Sequence, residues 1–334
     1  MLKVAVVNDY MRIVREVADW SRLEGLAEVT YFHDHLDKED AIAGRLAPFD
    51  VIVSERERTR FTASLLARLP RLKLLCVTGT DNWAVDFDAT ARQGLTVCNT
   101  ASVMAAMPEL AWGLILALTR GIVRDDRNIK AGGWQTRPTV PLQGKTLGIL
   151  GLGIAGKRML EIGLAFRMRC VAWSSNLTRE AAEAAGAHYL PLDELLATSD
   201  VVTIQLVLGE RSRGLLGDRE LRCMKPGAFL VNTSRGPIVD ENALVAALRE
   251  RRIAGAGLDV FDVEPLPSGH PLRGLDNVVL TPHTGYITDE QFRVFYGQSV
   301  ENILAFIHGA PVRVMTAPYS LKAKQEMVKS VPTV

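Results

Sequence analysis

The eleven residues Thr146–Gly156, TLGILGLGIAG, constrain this chain more than any other stretch. They read as an apolar strand that enters a tight turn and leaves it as a helix. Gly151, Gly153 and Gly156 take the three glycine places of the GxGxxG pattern. The first allows the turn, the second lets backbone approach a pyrophosphate, and the third lets helix and strand pack closely. A helix opening at Ile154 and Ala155 offers its first N–H groups and the positive end of its dipole to phosphate. Glycine turns match such a pattern often, so the flanks decide. Gln143-Gly144-Lys145 reads as a turn before the strand, Ile154–Phe166 as an amphipathic helix and Cys170–Trp173 as the next strand. That is the strand–turn–helix–strand order the motif requires. About 140 residues precede it, enough for a separate domain.

A chain of 334 residues suits two domains, each able to bury its own core. The formal net charge is +1 and no long run has one sign, which argues against nucleic acid or an anionic membrane as partner. The longest apolar stretch, Leu110–Leu118, is too short to span a bilayer. The run Met1–Tyr10 enters a strand directly, and its apolar part is too short for a signal peptide. Cys76, Cys98, Cys170 and Cys223 form no CxxC, and three of them lie in apolar strand-like runs. They read as reduced core residues of a cytoplasmic protein, with neither a disulfide framework nor a metal site.

Two series of alternating strand and helix signals follow one another. The first has strands at Val4–Val7, Glu28–Phe32, Val51–Ser54, Leu72–Val77 and Thr96–Cys98, with helices at Met11–Leu23, Lys38–Leu46, Thr62–Leu69 and Asp86–Gln93. The second has strands at Leu147–Leu150, Cys170–Trp173, Val201–Gln205, Phe229–Asn232, Gly255–Val260 and Val278–Thr281. Such alternation predicts an α/β protein with parallel sheets covered on both faces. Between the series lies the very apolar helix candidate Met104–Thr119, with a break or new start expected near Pro108. So apolar a helix must be buried, at a domain junction or against another subunit. The amphipathic stretch Gln291–Ile307 is expected to cross back to the first domain. Residues 1–100 and 289–334 then form a substrate domain and 101–288 a dinucleotide-binding domain. The tail after Pro318 is polar and basic and is assigned no structure.

Three ionisable residues follow the later strands, where open parallel sheets bind their ligands. Arg235 follows Val231–Ser234, Glu264 follows Leu258–Val263, and His283 follows Val279–Pro282. An arginine fork grips a carboxylate, a histidine moves a proton near neutral pH, and a carboxylate beside the imidazole holds the ring. These are the parts that interconversion of a 2-oxo and a 2-hydroxy acid needs, with a nicotinamide supplying hydride. His33, His35, His188, His270 and His308 have no such setting and read as structural.

The segments Gly151–Gly156, Met224–Gly236, Gly257–Pro265 and Asn277–His283 resemble, in sequence, order and spacing, the D-isomer-specific 2-hydroxyacid dehydrogenase family. The N-terminal match is weaker and includes Asp86 and the turn near Gly79. The resemblance implies a Rossmann-type NAD(P)-binding domain plus a flavodoxin-like substrate domain built from both chain ends, usually in a homodimer. The helix holding Leu110–Leu118 is then the expected subunit contact. It implies a catalytic set of Arg235, Glu264 and His283, with Asp259 near the nicotinamide amide. Substrate carboxylate would meet Arg235 and the backbone N–H groups around Gly79 and Thr80. The cofactor set is Gly151, Gly153, Ile154, Ala155, Gly156, Ser174, Ser175, Asn176, Gln205, Leu206, Thr233, Ser234 and Asp259. Two places depart from the family pattern: loop 77–83 has fewer glycines, and Val207 stands where proline is common.

A dinucleotide site for NAD usually carries Asp or Glu about 20 residues after the first glycine. Ser174 holds that position, and Arg179 follows shortly after. No carboxylate repels a 2′-phosphate there, although Ser and Asn also suit a plain ribose. The reading favours NADP(H) over NAD(H). A rival is a nucleotide-sensing, corepressor-like binding protein of the same fold, against which the intact Arg235–Glu264–His283 set argues. A formate oxidiser would place Gln at 264, and a phosphite oxidiser would need a Lys within 77–83, which is absent.

Overall fold

The computed structural model describes residues 1–103 and 106–317. The basic tail expected after Pro318, and the start of the helix expected from Met104, lie outside the described residues. The described chain forms two compact units, one of 1–103 with 287–317, the other of 106–286.

The first unit is built on five strands: β1 (Leu2–Val7), β2 (Ala27–Tyr31), β3 (Val51–Ser54), β4 (Leu74–Val77) and β5 (Thr96–Cys98). All pair in parallel in the order β2-β1-β3-β4-β5. That is the flavodoxin-like order. Every residue of β3 and β4 is buried, as expected of central strands covered on both faces. The helix Asp289–Ile307 returns to this unit, its N-terminus capped by the Thr288 hydroxyl, which accepts from Gln291 N at 3.2 Å. Phe292, Phe295 and Tyr296 are buried, and Asn302 Nδ2 donates to the Asn99 carbonyl at 2.9 Å.

The second unit has seven strands: β6 (Thr146–Leu150), β7 (Arg169–Trp173), β8 (His188–Tyr189), β9 (Val201–Ile204), β10 (Phe229–Asn232), β11 (Gly255–Leu258) and β12 (Val278–Leu280). Their order is β12-β11-β10-β9-β6-β7-β8, again all parallel. This is the Rossmann order extended by one strand, with the reversal of direction between β6 and β9. Strand β8 was not expected; two residues carry no periodicity to detect.

One helix expectation is corrected and one is resolved between its alternatives. Met11–Leu23 is not one helix but a single turn at Val14–Val17 and a 3₁₀ turn at Trp20–Leu23, separated by extended Ala18. The Trp20 indole N–H donates at 2.8 Å to the Val14 carbonyl, the acceptor a continuous helix would give to Ala18. The helix Ala106–Thr119 carries Pro108 in its first turn, where proline is tolerated, so of the break or new start expected there it is the new start that agrees with the described helix. Its apolar residues Ala111, Trp112, Leu114 and Ile115 are buried in its own unit, packed on β10 and β11. A Cβ on Gly257 of β11 would meet Leu114 Cβ at 3.0 Å, so the small residue lets the helix sit close. The expected subunit contact through Leu110–Leu118 therefore loses much of its apolar side to the core of this unit. Among the described residues no single helix is long and apolar enough to cross a membrane.

Gly156 shows how tightly the first helix of this sheet seats on its turn. A Cβ there would lie 1.9 Å from the Gly151 carbonyl oxygen, which is backbone and cannot swing away. Gly156→Ala is expected to destabilise the protein by about 1–3 kcal/mol through overpacking, read as a lower Tm in thermal unfolding. An unchanged Tm would contradict this close approach.

Candidate active site

The glycine turn lies where β6, β7 and β9 end. Gly151 has φ +101°, its N–H donates to the Trp173 carbonyl at 2.8 Å, and a Cβ on it would meet the Gln205 carbonyl oxygen at 2.6 Å. Gly151 and Gly156 are thus required by the protein itself. Gly153 is different: a Cβ there would meet nothing within 4 Å. Space over an N-terminal helix cap, beside exposed Ile154 and half-buried Ala155, is what an approaching pyrophosphate needs. Two buried polar atoms near the strand ends, Gln205 Oε1 and Thr233 Oγ1, have no hydrogen-bond partner among the described residues. Orphaned polar atoms at such a crevice fit a polar ligand, and the donor set as a whole fits a dinucleotide. The Ser234 hydroxyl serves the sheet instead, donating to the Ile204 carbonyl at 2.8 Å and tying β10 to β9. Leu206 is half-buried, its Cδ2 3.1 Å from where a Gly151 Cβ would stand.

At the end of β7, Ser174 is half-buried while Ser175 and Asn176 are exposed. Arg179, expected near this corner, is engaged elsewhere: its guanidinium lies 5.6 Å from the Tyr189 ring centroid and 3.8 Å from the Glu183 carboxylate. Arg211 instead donates from Nη1 to Asn176 Oδ1 at 2.9 Å.

Three ionisable residues come together beyond β11 and β12. His283 Nδ1 lies 2.6 Å from Glu264 Oε2, and both side chains are mostly buried. Glu264 Oε1 accepts from the Phe261 N–H at 2.9 Å, which fixes the carboxylate plane. His283 itself has φ +54°, a conformation a non-glycine residue adopts only when its surroundings hold it. Asp259 does the holding. Its Oδ1 accepts from Thr281 Oγ1 at 2.6 Å, Thr284 N at 2.8 Å and Thr284 Oγ1 at 3.3 Å, and its Oδ2 accepts from Gly285 N at 2.9 Å. Burial pushes the Asp259 carboxyl above its ordinary range, against these hydrogen bonds and the nearby imidazole, which favour the charged form. Asp259 was expected beside the nicotinamide amide; both its oxygens are occupied by the turn that carries His283. Tyr286, which nothing in the sequence marked, sets its ring edge-on to His283 with centroids 5.7 Å apart.

Arg235 follows β10. Asn232 Nδ2 donates to its carbonyl at 3.0 Å, and its own Nη1 donates to the Ser234 carbonyl at 2.8 Å. The next residue, Gly236, has no room for a side chain, since a Cβ would lie 2.1 Å from the Phe261 carbonyl carbon and 2.6 Å from Asp262 N. The arginine loop therefore sits directly on the backbone that holds Glu264.

In the first unit, Gly79 follows β4 with φ +91°. Its N–H, expected near a substrate carboxylate, donates to Thr100 Oγ1 at 2.8 Å. The Thr80 carbonyl accepts from Asn99 Nδ2 at 3.1 Å. The Arg56 guanidinium lies over Gly79, 1.9 Å from where a Cβ would stand. Asp86 caps the helix Phe87–Arg92, and Trp83 is exposed.

The NAD-binding domain of the D-isomer specific 2-hydroxyacid dehydrogenases matches residues 112–285. A glyoxylate reductase of Aeropyrum pernix is 43% identical over 262 residues, 75% of this chain and 78% of its own length. A phosphoglycerate oxidoreductase from Vibrio cholerae superposes with a TM-score of 0.88 at 35% identity, covering 93% of this chain and 100% of the other. An acyclic imino acid reductase solved with NADPH and D-arginine superposes with a TM-score of 0.72 at 26% identity, over 94% of this chain and 100% of the other.

Asp259→Asn removes an acceptor facing the Gly285 N–H or the Thr281–Thr284 pair, whichever way the amide turns. An unsatisfied buried donor costs about 1–3 kcal/mol, so kcat is expected to fall about tenfold to hundredfold. Steady-state kinetics of the variant check this, and wild-type kcat would contradict it.

Proposed function

The chain belongs to the D-isomer-specific 2-hydroxyacid dehydrogenase family, and from that premise we propose that it reduces a small 2-oxo acid to the D-2-hydroxy acid. A reduced nicotinamide nucleotide, when bound, supplies hydride to the carbonyl carbon. His283, protonated, gives a proton to the carbonyl oxygen, so that one C–H and one O–H bond form. With Nδ1 bonded to Glu264, this proton transfer is assigned to Nε2. Glu264 keeps the ring oriented and stabilises the imidazolium before transfer. Arg235 grips the substrate carboxylate and polarises the carbonyl. The observation that carries the reading is the 2.6 Å Glu264–His283 pair, held by Asp259 beside the Arg235 loop. Thr80 is the proposed backbone donor of the first unit.

Glyoxylate is the proposed substrate, supported by the name of the Aeropyrum pernix relative. NADP(H) is the proposed nucleotide, supported by neutral Ser174 where a carboxylate would exclude a 2′-phosphate and by the NADPH-bound structural relative. A homodimer is proposed as well; Ile122, Ile129 and Trp134 are exposed and offer apolar surface for it. Neither nucleic acid nor membrane is a proposed partner, given the net charge of +1 without long runs of one sign. Four free cysteines fit a reducing compartment, and the cytoplasm is the one proposed.

Glyoxylate, hydroxypyruvate, pyruvate and 3-phosphohydroxypyruvate, each tested with NADPH and NADH by loss of reduced nicotinamide absorbance, decide the reaction. Turnover of glyoxylate is expected, and no turnover of any 2-oxo acid with either nucleotide would overturn the proposal. Arg235→Gln loses a charge-assisted hydrogen bond of about 1.5–3 kcal/mol, so kcat/KM is expected to fall about tenfold to hundredfold or more.

A further inference from the structure

We infer that Arg211, reaching over from the loop after β9, grips the 2′-phosphate of NADP(H) and sets the choice between the two nucleotides. This rests on the reading that the second unit binds a nicotinamide dinucleotide with a preference for NADP(H).

In a sheet of this order, the end of the strand after the glycine turn meets the adenosine ribose. An acid there hydrogen-bonds a 2′-hydroxyl, and an arginine nearby accommodates a 2′-phosphate. That strand is β7, and the bond from Gly151 N to the Trp173 carbonyl puts its end against the glycine turn. Ser174 comes next, 23 residues after Gly151, and carries no charge. The chain then turns, with Leu177 N donating to the Ser174 carbonyl at 3.1 Å, and presents Asn176 outward.

Of the arginines near this corner, Arg179 has a carboxylate partner in Glu183 and lies over Tyr189. Arg211 is held differently. It stands 35 residues further along the chain than Asn176, and one N–H of its fork is fixed on the Asn176 amide oxygen at 2.9 Å. A neutral partner orients the guanidinium without cancelling its charge, and one hydrogen bond uses one of five donors. The fork is thus pre-positioned on Asn176, one and two residues along the chain from Ser175 and Ser174, whose hydroxyls are further donors suited to phosphate oxygens. NAD(H) offers the same corner a hydroxyl, for which a full positive charge brings little advantage. Arg211 therefore discriminates by the phosphate, while Asn176 acts as a positioning residue for Arg211.

Isothermal titration of the nucleotide-free protein with NADPH, NADH, 2′,5′-ADP and 5′-AMP tests this without turnover. Arg211→Gln is expected to weaken NADPH and 2′,5′-ADP about tenfold to hundredfold and to leave NADH and 5′-AMP within about twofold. Asn176→Ala is expected to weaken the same two ligands by less, and Arg179→Gln to change neither. Arg211 is exposed, so the variant should keep the wild-type Tm, which is measured alongside. If wild type prefers NADPH but Arg211→Gln weakens all four ligands equally, or none, the assignment of Arg211 is wrong while the nucleotide preference stands. If wild type binds NADH more tightly than NADPH, the preference on which the inference rests is itself wrong.

Discussion

Parallel in-register pairing of β10, β11 and β12 is the constraint on which the site depends. Asn232 pairs with Leu258 and Leu258 with Leu280, so the three strands end level with one another. Arg235, Glu264 and His283 leave from those level ends on loops of different length. The loops then lock onto one another. Gly236 lets the first press on Phe261–Asp262, Phe261 N holds Glu264, and Glu264 holds His283. Asp259, the first residue after β11, binds the turn at 281–285 and keeps His283 in its unusual backbone conformation. Burying that carboxylate is costly, and its four hydrogen bonds offset the cost only while the turn keeps this shape.

The three glycines of the fingerprint separate into two kinds once the turn is seen in three dimensions. Gly151 and Gly156 answer to contacts inside the protein, where a Cβ would meet backbone at 2.6 and 1.9 Å. Gly153 has open space where a Cβ would stand, among the described residues, which leaves room for a ligand to approach the turn. The unpartnered Gln205 Oε1 and Thr233 Oγ1 point the same way.

Much of this was legible in the sequence because it rests on local signals. The strand–turn–helix order around Gly151 gave the second sheet, alternation gave the parallel topology, and the residues beyond the last strands gave Arg235, Glu264 and His283. What was not legible depends on contacts between distant segments. The Trp20 indole takes the carbonyl that a long first helix would need, and no periodicity reports that. Thr100 claims the Gly79 N–H from 21 residues away, and the turn at 281–285 claims Asp259 from the far side of β12. Arg179 looked suitable from its place after Ser174, yet Glu183 and Tyr189 hold it, while Arg211 arrives from another loop. Strand β8 is two residues long and leaves no pattern.

Proton transfer by His283 is isolated from nucleotide binding and product release by stopped-flow single turnover of the His283→Gln variant. With NADPH bound and glyoxylate in excess, the variant is expected to bind the nucleotide as wild type does. Reduced nicotinamide should then disappear about 10²–10⁴ times more slowly. Disappearance at the wild-type rate would contradict the assignment of the proton to this histidine.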